Sequence, residues 1–312
     1  MSAAATPLRI ATRKSQLALW QAEHVAALLR AAHPGITVEL VPTVTQGDRI
    51  QDKSLAAIGG KGLFIKELEV AMAEGRAHIA VHSMKDVPAE MPPGFCIAAV
   101  LKRADPFDAF VARPGIMTLN DLPRGARVGS SSLRRQAQLL ALRPDLSVQS
   151  LRGNVDTRLK KLDQGEFDAI LLACAGLIRL KLEARITARL DPQKCLPAVS
   201  QGIIGIECRD GDEATRRLLA ALEDAPTRIV MEAERAFSQG LGGSCASPIA
   251  AYAQLEGDQL TLEGLVAEPD GSRLLRNTEM GLGSKARAVG FKLADRLLAA
   301  GAGTLLERLR SR

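Results

Sequence analysis

The sequence predicts an α/β protein with two similar, doubly wound α/β domains, a cleft between them, and a small α+β C-terminal domain carrying a three-stranded sheet. Three observations carry this. Short apolar stretches alternate with helix-period segments over residues 8–81 and again over residues 126–173, the rhythm of strands covered by crossover helices. Each run is followed by a segment that reads as an interdomain crossing, Lys102–Pro106 and Pro197–Glu207. Beyond Pro226 three strand-like stretches follow one another, which is the pattern of an α+β domain. The division is 1–102 with 202–222, then 103–201, then 223–312.

In chain order, Leu8–Ala11 reads as a strand and Ser15–Ala31 as an amphipathic helix closed by His33-Pro34-Gly35. Ile36–Val44 alternates like a strand, Leu63–Glu74 is helical up to Gly75, and Ala77–Val81 is a buried-type strand. Phe95–Val100 and Ala109–Val111 are strands on either side of the first crossing. The rhythm restarts with strand Ala126–Gly129, helix Ser132–Leu142 with serine cap candidates, and strand Ser147–Leu151. Helix Val155–Gln164, capped by Asn154, precedes the apolar strand Phe167–Ala173. Asp212–Leu222 and Arg228–Gln239 are helices. Strands Ile249–Leu255, Gln259–Val266 and Leu274–Met280 then lead to a helix over Lys285–Leu309.

Composition narrows the function. The 312 residues are 46% hydrophobic and 24% charged, ordinary for a globular enzyme, and only 3% aromatic, which disfavours a nucleic-acid reader built on base stacking. The net charge of +6 is dispersed rather than gathered into a basic arm, and fits a cleft for an anionic small molecule. Five cysteines at irregular spacing, without C-x-x-C and away from the four histidines, indicate neither a zinc site nor a disulfide framework. The short Ala-rich start lacks the pattern of a secretory signal, and no run has the apolar length of a membrane span, so a cytoplasmic location is expected.

Candidate site residues cluster after strands. Lys85 and Asp86 follow a buried-type strand, where ligands of open α/β sheets gather. An aspartate there can accept ligand N–H groups and stabilise a developing cation, and the lysine can bind carboxylate; a solvated ion pair is the plain alternative. Ser131, Arg134 and Arg135 lie at the start of a helix, where two arginines oppose the helix dipole and call for a bound anion. Arg152 and Arg158 repeat the arrangement, Arg179 follows the next strand, and Arg13 follows the first. Several arginines at strand ends imply a ligand with many carboxylates, whereas any one alone reads as a surface residue. Gly59-Gly60-Lys61-Gly62 lacks Walker spacing and is read as a mobile flap carrying Lys61. His24, His33 and His82 are isolated and suit core or surface roles. Cys245, in Gly242-Gly243-Ser244-Cys245-Ala246-Ser247-Pro248, is presented on a small-residue loop, as an idle thiol or a functional one.

In order along the chain, Arg9-Ile10-Ala11-Thr12-Arg13, Gly59–Phe64, His82–Pro88, Ser131–Arg135, Leu151–Asn154, Pro197–Glu207 and the Cys245 loop resemble the porphobilinogen deaminase family. The resemblance implies a pair of periplasmic-binding-protein-like α/β domains and a dipyrromethane cofactor joined by a thioether to Cys245. It implies a transferase that condenses four porphobilinogen molecules head to tail, releasing ammonia, and frees linear hydroxymethylbilane by hydrolysis. It gives Asp86 the pyrrole N–H groups, the cationic azafulvene and the proton transfers. Catalytic roles extend to Lys85 and Arg13. Cofactor and chain carboxylates would be bound by Lys85, Arg134, Arg135, Arg158, Arg13 and Ser131. Arg152 and Arg179 would sit at the substrate or elongation site and Lys61 on the flap. It further implies a monomer passing its product to uroporphyrinogen-III synthase, with no nucleic-acid, membrane or metal partner. The chain departs from the family pattern at Ser244 and Ser200, where glycine is common, and at Ala57, where lysine is often found.

Two other classes compete. A two-lobed binding protein for carboxylated ligands would use the same cleft without chemistry. A thiol-dependent acyl or glutamine-amide transferase would need a histidine near Cys245, and none is identifiable.

Overall fold

The computed structural model describes residues 7–45, 65–243 and 247–310. Cys245, Ser244, Lys61 and Ala57 lie outside the described residues, as does the Gly59–Phe64 segment.

The chain begins with β1 (Leu8–Arg13), α1 (Gln16–Ala32), β2 (Val38–Thr43), α2 (Lys66–Ala73), β3 (Ile79–Ser83) and β4 (Phe95–Val100). It continues with β5 (Asp108–Ala112), β6 (Arg127–Gly129), α3 (Leu133–Leu142), β7 (Ser147–Gln149), α4 (Val155–Asp163), β8 (Ala169–Ala173), α5 (Cys174–Arg179) and β9 (Ala188–Arg189). Then come β10 (Ile204–Arg209), α6 (Glu213–Leu219), α7 (Ala225–Gly240), β11 (Ile249–Glu256), β12 (Gln259–Ala267), β13 (Leu274–Leu282), α8 (Ala286–Ala299) and α9 (Ala302–Arg310). Two compact units result: Met1–Arg103 with Ile203–Arg228, and Ala104–Gly202 with Ile229–Arg312.

The first unit is built on a five-stranded sheet of order β2-β1-β3-β10-β4. β1 runs parallel to β2 and β3, and β10 runs antiparallel to both of its neighbours. Alternation along β1 sorts the faces, as the period of two requires. Leu8 and Ile10 pack with Ala22, Val25 and Leu29 of α1 and Leu219 of α6, whereas Ala11 packs with Leu68, Ala71 and Met72 of α2. Ser15 caps α1, its hydroxyl accepting the Ala18 N–H at 3.4 Å.

The second unit repeats this plan with order β7-β6-β8-β5-β9, β5 being the antiparallel strand. One face meets α4 and α5 through Leu159, Leu162 and Leu177, and the other meets α3 through Leu139. In both sheets the reversed strand is the first one after a crossing. Four strands of five therefore share a direction, and their carboxyl ends share one edge.

The C-terminal sheet is antiparallel, β11-β12-β13, with its core closed by α7, α8 and α9 around Phe237, Leu260, Leu262 and Leu293. Within the second unit, Ala250, Leu265 and Ala267 of this sheet pack on Ala137 of α3 and on Leu196. The architecture is two α/β domains, each on a five-stranded mixed sheet, and a domain with a three-stranded antiparallel sheet.

Three expectations change. Pro197–Glu207 is not wholly a crossing, because its apolar end opens β10, a buried interior strand between β3 and β4. The helix expected over Lys285–Leu309 is broken near Gly301, since glycine favours helix ends over helix interiors. The strand expected over Phe167–Ala173 begins only at Ala169, and the short helix α5, which is not among the expected elements, follows it directly.

Candidate active site

In the first unit, β3 ends at Ser83 and turns at once into a single 3₁₀ turn, Met84–Asp86. Met84 is buried and anchors the turn: its N–H donates to the Ile203 carbonyl at 3.0 Å, and its side chain occupies the space beside Gly205. A Cβ at Gly205 would collide with Met84 Sδ, so a larger residue there would have to displace the buried Met84 side chain. Gln21 Nε2 donates to Ser83 Oγ at 2.9 Å, fixing the turn's approach. Lys85 and Asp86 are consequently held half-buried at the carboxyl end of β3, and Arg13 half-buried at the end of β1.

Behind the turn, His82 is no surface residue. Its Nε2 lies 2.7 Å from Glu207 Oε2, both side chains being buried, and Glu207 Oε1 has no hydrogen-bond partner. Burial, together with the nearby Glu207 carboxylate, raises the pKa of Glu69 on α2, against the opposing influence of His82 and Lys66.

In the second unit the arginines at strand ends have unequal surroundings. Ser131 Oγ donates to the Leu151 carbonyl at 2.7 Å and lies 3.1 Å from Ser150 Oγ, tying the β6 end to the β7 end. Ser132 occupies the N-cap of α3 without a capping bond from its hydroxyl, and Asn154 does the same for α4. Arg158 Nε donates to the Gly153 carbonyl at 2.8 Å. Arg152 is half-buried and has no hydrogen-bond or ion-pair partner among the described residues. Arg179 is 8% exposed, and its Nη2 donates to the Gly202 carbonyl at 2.7 Å. Burial without a compensating carboxylate brings its pKa down to about 10.

Arg134 and Arg135 turn inward, which corrects the expectation that a bound anion alone must balance them. The balancing charge is Asp108 at the start of β5, fully buried, 2.8 Å from Arg134 Nη1 and 2.7 Å from Arg135 Nη2. Burial alone would raise the Asp108 pKa, but the two guanidinium charges and their hydrogen bonds hold it well below the carboxylate range. Gln201 Nε2 adds a further donor to Asp108 at 2.9 Å and also donates to the Pro106 carbonyl at 2.7 Å. Nothing near Asp108 in sequence announces this role, because its partners lie 26, 27 and 93 residues away.

Cys174, Cys195 and Cys208 are buried, and burial pushes each thiol up to about 12, so none supplies thiolate at neutral pH. Among the described residues no group of three or more histidine, cysteine or carboxylate side chains is arranged to hold a metal. Also among them, no helix is long and apolar enough to cross a membrane.

Comparison with known proteins gives two family matches. Residues 8–217 match the dipyrromethane cofactor binding domain of porphobilinogen deaminase, and residues 229–299 match the C-terminal domain of the same family. Solved structures similar to the chain include the periplasmic VFT2 domain of Bordetella pertussis BvgS, at 15% identity and a TM-score of 0.42, covering 69% of this chain and 86% of that one. Another is a TRAP periplasmic solute binding protein from Desulfovibrio salexigens, at 13% identity and a TM-score of 0.43, covering 70% and 72%.

Proposed function

This chain belongs to the porphobilinogen deaminase family, and on that premise we propose how its own residues carry out the family's reaction. The activity is hydroxymethylbilane synthesis, a transferase step in tetrapyrrole biosynthesis that uses a dipyrromethane cofactor.

The residues present fit such a group. A dipyrromethane built from the substrate carries acetate and propionate carboxylates and two pyrrole N–H groups. Arg179 supports this reading most directly, as a buried guanidinium with no carboxylate beside it among the described residues. Leaving it uncompensated is costly, and a ligand carboxylate removes that cost. Arg152 and the unpartnered Nε of Arg134 add donors of the same kind. Asp86, on its turn, supplies the acceptor for N–H groups.

When bound, the dipyrromethane supplies the nucleophilic pyrrole carbon that primes the chain. The rest falls to side chains. Asp86 accepts the N–H groups of the reacting pyrroles, stabilises the cation left as ammonia departs, and takes up the proton released when the new carbon–carbon bond is complete. Lys85 and Arg13 hold carboxylates so that the reacting carbon meets Asp86. Ser131, Arg134 and Arg158 serve the cofactor carboxylates, with Arg135 beside Arg134, and Arg152 and Arg179 those of the incoming and elongating units. Lys61 would act from its glycine-rich segment. Cys245 would carry the thioether, which needs a thiol once and no permanent general base. A monomer in the cytoplasm, acting on porphobilinogen and handing its product to uroporphyrinogen-III synthase, completes the reading.

Intact-protein mass tests it. The purified protein is expected to exceed its sequence mass by two linked pyrrole units, and Cys245→Ala to lack the increment. An active wild-type protein at its bare sequence mass would overturn the reading.

A further inference from the structure

Arg134 and Arg135 are neighbours in the first turn of α3, yet their guanidinium edges are used differently. Arginine offers a side-on fork, Nε–H with Nη2–H, whose two parallel donors match the two oxygens of a carboxylate. In Arg135 that fork is closed. Nε and Nη2 both donate to Asp108 Oδ1, at 3.1 and 2.7 Å, and Nη1 donates to the Leu171 carbonyl at 2.9 Å. In Arg134 the fork is open. Nη1 donates to Asp108 Oδ2 at 2.8 Å and to the Leu196 carbonyl at 2.6 Å. Nε is buried with no acceptor, and Nη2 takes no partner among the described residues.

We propose that Asp108 is a positioning residue for carboxylate binding: it engages Arg135 as a strut and holds Arg134 with its Nε/Nη2 fork available to a carboxylate of the dipyrromethane. The inference rests on the cofactor-binding reading above and divides the labour within it. Of these two arginines only Arg134 touches the ligand; Arg135 acts through Asp108. The charges agree, because one carboxylate against two guanidiniums leaves a single positive charge for one ligand carboxylate. The hold is rigid as well. Asp108 is fixed by Gln201 at 2.9 Å, and the Leu196 carbonyl that anchors Arg134 also accepts Gln138 Nε2 at 3.1 Å. Swinging Arg134 out would break several buried bonds at once, so its fork is preorganised before the ligand arrives.

The test compares wild type with Arg134→Lys, Arg135→Lys, Asp108→Asn and Asp108→Glu, reading the cofactor-loaded fraction by intact mass beside the melting temperature. Arg134→Lys should lower the loaded fraction roughly tenfold, because a point charge cannot fill a fork. Arg135→Lys keeps a cation against Asp108 and should stay mostly loaded. Asp108→Asn should load several-fold less, even in the fraction that melts cooperatively, and Asp108→Glu should recover part of the loss. A purely structural Asp108 would lower the melting temperature and leave loading of the folded protein unchanged; that result overturns the proposal. So does an Arg135→Lys protein loaded as poorly as Arg134→Lys, a comparison that decides alone if Asp108→Asn does not fold. A wild-type protein without the adduct would instead overturn the cofactor-binding reading itself.

Discussion

Asp108 Oδ1 lies 2.7 Å from Arg135 Nη2 and 3.1 Å from its Nε, so one carboxylate oxygen closes the fork of a guanidinium 27 residues along the chain. With Arg134 on Oδ2, a fully buried carboxylate offsets one of the two positive charges at the start of α3, where the helix dipole would disfavour both. Removing one member of such a group strands the others without compensation, a cost of about 3–5 kcal/mol. Asp108→Ala should therefore lose that much stability at neutral pH in urea unfolding. The sign with pH follows from the depressed Asp108 pKa. Its contribution is fully present above the unfolded carboxylate value of about 3.9 and is lost progressively as the pH falls below it. The gap between wild type and variant should narrow in acid; a gap that stays constant would exclude the ion pair as its source.

Arg179 presents the opposite case, a buried cation with no carboxylate partner among the described residues. Arg179→Met should stabilise the protein by on the order of 1–3 kcal/mol. The Gly202 carbonyl would keep the Ala104 N–H at 3.1 Å. Turnover should fall by roughly a hundredfold or more, as loss of a charged substrate contact would cause. A variant both less stable and fully active would contradict this account.

Ser200 has φ of 59°, in the left-handed region that favours glycine, and its buried hydroxyl has no partner. Two residues on, Gly202 has φ of 89°, and a Cβ there would meet the Ala104 carbonyl oxygen at 2.6 Å. Ser200→Gly should stabilise by about 1 kcal/mol, the relief of strain exceeding the greater freedom of glycine in the unfolded chain. Thermal unfolding of the variant checks the sign.

Glu69 has a raised pKa, from burial first and Glu207 second. A carboxyl raised in the folded state contributes stability that is present below its unfolded value, about 4.3, and lost as the pH rises through the folded value. Glu69→Gln, which stays neutral throughout, should be the more stable protein at pH 7 and should match wild type near pH 4. Paired unfolding curves at the two pH values would show whether the advantage disappears in acid.

Asp86→Asn keeps the shape of the turn after β3 while removing its charge and its capacity to take a proton. The variant should retain the mass increment of the cofactor and lose a factor of roughly 10²–10⁴ in turnover. Near-normal turnover would assign the proton transfers to another group.

The strands and helices were legible because burial imposes its period on sequence. The alternation of β1, the stripe of α1 and the apolar run of β8 each name their element without a partner. Lys85, Asp86 and Arg13 in the first unit, and the arginines of the second, were legible as residues that follow strands, since parallel strands put such residues along one edge of their own sheet. Hidden from local reading were the identity of β10 as a central strand, the burial of His82 against Glu207, and the part played by Asp108. Each depends on a partner more than twenty residues away.

Readable in the chain alone were the α/β plan, the positions of Arg13, Lys85, Asp86 and the second-unit arginines after their strands, and, through its ordered motifs, the family. Local patterns of polarity, glycine and charge suffice for those. Folding alone settles which cations meet a carboxylate of the protein and which do not. Arg134 and Arg135 are indistinguishable as letters, and the direction of each guanidinium is set by a carboxylate that folding brings to Asp108's place beneath α3. Charge is written in the chain, but its compensation is a property of three-dimensional neighbours, because electrostatic and hydrogen-bond energies depend on distance in space and not along the sequence.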